Sequence, residues 1–79
     1  MADTRLAWQC RRGMLELDIL LSTFLEKGYE HLNTNSKKDF VELLEIADTD
    51  LLEYLMGRNV HTEVHLQHVI EAIRKTAAS

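Results

Sequence analysis

Apolar residues recur along this chain every three or four positions and do not alternate one by one. Leu17, Leu20, Leu21, Phe24, Leu25 and Gly28 share one side of a helix at the helical period. Phe40, Leu43, Leu44 and Ala47 form a second such face. Leu51, Leu52 and Leu55 form a third, and Leu66, Val69, Ile70, Ile73 and Ala77 a fourth. A shorter apolar group, Leu6, Ala7, Trp8 and Cys10, opens the chain. Val, Ile and Thr nowhere cluster as a strand would require. The pattern predicts an all-α fold, a single-domain bundle of five helices over residues 1–79.

The polar residues between these faces place the joints. The first helix is expected from Thr4 to Arg11, with Gly13 at the turn that follows, because glycine is costly inside a helix. The second is expected from about Met14 to Tyr29 or slightly beyond, with Gly28 permitting close helix contact. Thr34, Asn35 and Ser36 offer side-chain oxygens to cap the third helix, and Ser36 with Asp39 makes a weak capping box. Asp48-Thr49-Asp50 suits a helix start, where carboxylates meet free N–H groups and the positive end of the dipole. Gly57 is a natural stop. Thr62 is the expected cap of the last helix, which carries Arg74 and Lys75 near its C-terminal end, and residues 76–79 are expected to fray.

Composition narrows the functions available. With 79 residues the chain holds one small core. Its single cysteine excludes an internal disulfide and fits a reducing compartment. No apolar run approaches the ~18 residues of a membrane span, and no basic stretch leads into an apolar one as in a signal peptide. The net charge of −4 leaves no cationic surplus for phosphates, so no nucleic-acid partner is expected. The charge is uneven, however. Residues 1–18 balance Arg5, Arg11 and Arg12 against Asp3, Glu16 and Asp18. Residues 26–53 set three lysines against eight acids. An arginine-bearing neutral end on an acidic body points to a protein partner.

Candidate chemistry concentrates at Arg11-Arg12-Gly13-Met14-Leu15-Glu16-Leu17-Asp18. On spacing alone this is a helix start with a surface pair between Arg12 and Glu16, worth about 0–1 kcal/mol. Its functional reading is a recognition patch, in which arginine offers a planar fork to a partner carboxylate or phosphate and Gly13 lets a partner backbone approach. Leu15 and Ile19 point away from the main face of their helix; cover by the first or last helix is the expectation, with an exposed contact spot beside the patch as the alternative. Trp8 is expected in the core, with an interface anchor as the alternative. Cys10 is expected to pack as a buried thiol rather than to react. His61, His65 and His68 are expected to face solvent, since His61 precedes the helix and the other two fall off its apolar stripe, with a metal site as the minor alternative. No catalytic residue, cofactor-binding residue or metal ligand is expected, and the chain does not read as an enzyme.

The string Trp8-Gln9-Cys10-Arg11-Arg12-Gly13-Met14-Leu15-Glu16 contains an Arg-Gly-x-x-Glu motif and resembles the succinate dehydrogenase assembly factor family, called SdhE in bacteria and Sdh5 in mitochondria. Phe24-Leu25-Glu26 with Tyr29 and Leu32, Phe40 to Glu45, and the acidic turn Asp48-Thr49-Asp50-Leu51-Leu52 extend the resemblance over residues 5–75. Thr49 stands where the family often has proline, and Tyr54 where a tryptophan is common. The resemblance implies a five-helix protein that binds the flavoprotein subunit of succinate dehydrogenase, or of fumarate reductase, and promotes covalent attachment of FAD to a histidine of that partner. It implies partner contacts at Arg12, Gly13 and Glu16, with Arg11, Leu15, Asp18 and Trp8 as neighbours. It also implies that FAD is carried by the partner; the sequence has no dinucleotide fingerprint, so no stably bound cofactor is expected, and the free chain is expected to be a monomer. A bacterial cytoplasm is expected ahead of a mitochondrial matrix. The alternative function is an antitoxin or regulatory protein-binding module.

Overall fold

The helical periods close around a single apolar core. The computed structural model describes residues 4–78; Asp3, and Ser79 at the end expected to fray, lie outside them. The helices are α1 (Thr4–Gln9), α2 (Leu15–Lys27), α3 (Thr34–Leu43), α4 (Asp48–Leu55) and α5 (Val64–Ala78), with a 3₁₀ turn at Tyr29–His31 between α2 and α3. Among the described residues there is no strand, and no helix is long and apolar enough to cross a membrane.

The apolar faces meet as their spacing requires. Leu17, Leu21, Phe24 and Leu25 of α2 are buried with Phe40 and Leu43 of α3, Leu51 and Leu55 of α4, and Leu66, Val69, Ile70 and Ile73 of α5. Helix α5 is the hub, packing against α2, α3 and α4. Phe40 anchors an aromatic cluster, its ring centroid 5.4 Å from Phe24 and 5.5 Å from Tyr29, both tilted as aromatic quadrupoles prefer. Gly28 sits against this cluster. A Cβ there would lie 2.5 Å from the Phe24 ring and 3.0 Å from Thr76 Oγ1, so the absent side chain lets α2 end close to α5.

Several expectations need correction. Helix α1 ends at Gln9, short of Arg11; α2 starts at Leu15, about where expected, but gives way to the 3₁₀ turn before Tyr29. Thr34, Asn35 and Ser36 lie inside α3. The cap is Asn33, whose side chain accepts the Ser36 N–H at 2.8 Å. Ala47 and Ala77 are exposed, because one lies in the α3–α4 joint and the other in the last turn of α5, where no helix reaches to cover them. The α5 entry is braced by His61, whose Nδ1 accepts the Glu63 N–H and whose own N–H donates to Gln67, so the role expected of Thr62 falls to its neighbour. Helix α5 runs through Ala78.

Candidate functional site

Gly13 is the pivot of the N-terminal turn. Its φ of +83° is left-handed backbone, which glycine enters without a Cβ clash. A Cβ built there would meet nothing within 4 Å, so the position faces open space. The turn separates α1 from α2 and brings Arg12 back over the joint between α3 and α4.

Arg12 is tied inward. Its Nε donates to Asp48 Oδ1 at 2.8 Å, its Nη1 to the Gln9 carbonyl at 2.9 Å and its Nη2 to the Ile46 carbonyl at 3.3 Å. The Arg12 backbone N–H donates to Asp18 Oδ1 at 2.6 Å. The side chain retains 16 % of its exposure, against 37 % for Asp48. Every guanidinium nitrogen therefore has an internal partner, and the pair expected between Arg12 and Glu16 is replaced by one between Arg12 and Asp48. Spacing along one helix could not reveal this, because the two residues stand 36 positions apart. Asp18 is likewise part of the frame: it closes the first turn of α2 back onto Arg12 across Gly13.

The rest of the sequence-predicted patch is open. Arg11, Gly13 and Glu16 are exposed. Leu15 is 74 % exposed and Ile19 54 %, so neither α1 nor α5 covers them. Trp8 is 70 % exposed and is not in the core, since α1 is too short to bury both of its faces and turns Leu6 and Cys10 inward instead. Glu16, Ile19, Leu20 and Met56 line a shallow hollow of about 470 Å³ beside the turn. Met56, at the end of α4, is a member of this surface that sequence reasoning did not single out. The remote Arg58 guanidinium, raised above its ordinary value first by its hydrogen bond to Glu53, also senses the Glu16 carboxylate.

Cys10 lies under the turn and is 1 % exposed, as expected of a packing thiol. Burial pushes its thiol up to about 11 against an opposing pull from the Arg12 guanidinium, so it is protonated and a poor nucleophile at neutral pH. His61, His65 and His68 do not converge. His61 packs on the Tyr54 ring at 5.0 Å, His68 is exposed, and His65 faces Glu42 across the α3–α5 seam at 3.3 Å. Asp39, Glu42 and His65 have their ligand atoms within 4.8 Å of one another. Glu42 is more than half exposed, and an α3–α5 surface ion pair accounts for this arrangement without an ion.

Fold and site together define a small helical protein whose distinctive feature is an open, glycine-hinged surface flanked by exposed apolar side chains and held by a half-buried ion pair. Such a surface suits docking to another protein. Comparison with known proteins gives the family. Residues 4–77 match the model of the Sdh5 family, described as the flavinator of succinate dehydrogenase, and the chain belongs to that family. It is 40% identical over 70 residues to a protein of Serratia sp. named FAD assembly factor SdhE, a match covering 89% of this chain and 80% of the relative. Proteins of the same name from Shewanella oneidensis and Pectobacterium atrosepticum are 39% identical over 78 residues and 41% identical over 71 residues. The first match covers 99% of this chain and 95% of the relative, the second 90% and 81%.

Proposed function

We propose that this chain is an assembly factor that docks on the flavoprotein subunit of succinate dehydrogenase and promotes covalent attachment of FAD to it. The observation that carries this reading is the Gly13 turn. Left-handed backbone facing open space stands beside exposed Glu16 and Leu15, within a chain of the flavinator family. Gly13 admits the partner backbone, Glu16 and Arg11 supply hydrogen bonds at the rim, and Leu15, Ile19 and Trp8 supply apolar area. An apolar centre with a polar rim is the common anatomy of a protein interface. Arg12 and Asp18, assigned to the site from the motif, serve it from within the frame.

The chain acts by holding, not by chemistry. Its only thiol is buried and protonated. Fixing the partner so that its acceptor histidine and its flavin lie in reacting geometry can remove several kcal/mol of barrier, about the scale of well-oriented intramolecular reactions. The flavin belongs to the partner, and this chain holds none stably. Fumarate reductase is a second client of the same surface, the free chain is a monomer, and it works in a bacterial cytoplasm.

In-gel flavin fluorescence of the succinate dehydrogenase flavoprotein tests the reading. The signal is expected to disappear when the factor is deleted and to return with this chain. Undiminished covalent flavin in the deletion strain would overturn it.

A further inference from the structure

We propose that Asp48 is a positioning residue of the docking site, one that fixes the turn presenting Gly13 and Glu16 by holding Arg12. The inference rests on the docking reading above and goes beyond it, since Asp48 lies on a different helix from the motif. Asp48 is the first residue of α4. The N-cap position of α4 is Ala47, with no side-chain cap, and the Asp48 carboxylate beside it turns outward from the helix. The Asp48 oxygen instead accepts Arg12 Nε at 2.8 Å, while Ile46, just before α4, offers its carbonyl to Arg12 Nη2. The α3–α4 joint thus supplies two of the acceptors that receive the guanidinium, and the end of α1 supplies the third through Gln9.

The backbone consequence follows from connectivity. Arg12 is fixed at its side chain by α1 and the α3–α4 joint, and at its N–H by Asp18 of α2. Gly13 is the next residue and has the widest conformational range of any residue type. Without a clamp on Arg12, the turn would sample many conformations, and binding would have to select one of them. A held turn avoids that ordering cost. The motif arginine therefore contributes through the shape of the turn, and its charge is directed into the protein.

Asp48→Ala separates this from direct docking by Arg12. If Arg12 itself grips the partner, removing Asp48 frees the guanidinium and leaves affinity unchanged or tighter. If Asp48 positions the turn, affinity for the purified flavoprotein subunit falls by about tenfold or more, the scale on which lost preorganisation shows in binding. Amide exchange at Arg12 should accelerate in parallel. Asp50→Ala removes the same charge from the same helix turn and controls for helix-start effects; it is expected to bind as wild type. Should Asp48→Ala not fold, Asp48→Asn loses the charge-assisted bond to Arg12 and is expected to bind about threefold or more weakly. Affinity of folded Asp48→Ala or Asp48→Asn within about twofold of wild type overturns the proposal. If wild type itself does not bind the flavoprotein, the docking reading fails. Arg12 amide exchange would then still decide whether Asp48 holds the turn.

Discussion

At the scale of single residues, the site is organised by one backbone angle. Gly13 occupies left-handed space, and any side chain there other than asparagine or aspartate meets a penalty of about 1–2 kcal/mol. Gly13→Ala is expected to lower unfolding free energy by that amount in urea titrations while keeping most of the affinity, because its Cβ points into open space. Gly13→Arg carries the same backbone cost and adds a long cation where the partner would lie. It should lose the flavoprotein in pull-downs while its circular dichroism remains helical. Full flavinylation by Gly13→Arg in cells lacking the native factor would remove Gly13 from the contact. The turn at the motif's glycine was legible in the sequence, since glycine permits it at its own position. The inward fate of Arg12 was not, because its partner is supplied by another helix.

At the scale of elements, helix faces were easier to read than helix ends. The four long apolar faces are set by a repeating period, so an error at one position hardly moves them. Helix ends depend on single local hydrogen bonds. Three adjacent polar residues all looked able to cap α3, and the residue just before them does so, Asn33 accepting from Ser36 N–H. Asn33→Ala should destabilise the domain by about 1 kcal/mol, the usual worth of such a cap, measured as a lower urea midpoint with an unchanged slope. Ser36→Ala should cost much less, because Ser36 contributes its backbone N–H to this bond and not its hydroxyl. The α1 helix shows the limit of periodicity. Its six residues span fewer than two turns, too few for the pattern to say which of Trp8 and Leu6 turns inward.

At the scale of the whole molecule, the N-terminal turn meets the core at Cys10. The thiol is buried beneath the turn, and the folded state holds its proton more tightly than the unfolded chain does. An unfolded thiol titrates near 9.0, and in the fold it titrates at about 11. Its contribution to stability is therefore fully present below about pH 9 and is lost as pH rises towards 11, where the folded state must accept a buried anion. Urea midpoints measured from about pH 8 to about pH 10.5 should fall more steeply in wild type than in Cys10→Ala. Equal slopes would show that the thiol is not shielded by the fold. The same burial means that maleimide should label Cys10 slowly in the native protein and rapidly in denaturant.

The all-α class, the four main apolar faces and the identity of the motif follow from the sequence alone. Helical periodicity is a local property repeated over many residues, and a motif is a string. Tertiary structure alone decided which apolar residues the bundle leaves uncovered, Trp8, Leu15 and Ile19 among them, and which carboxylate meets Arg12. Cover depends on where another helix happens to end, and an ion pair across 36 positions depends on how the α3–α4 joint is laid against the N-terminal turn. Neither is written at the position concerned, so both appear only once the five helices have packed.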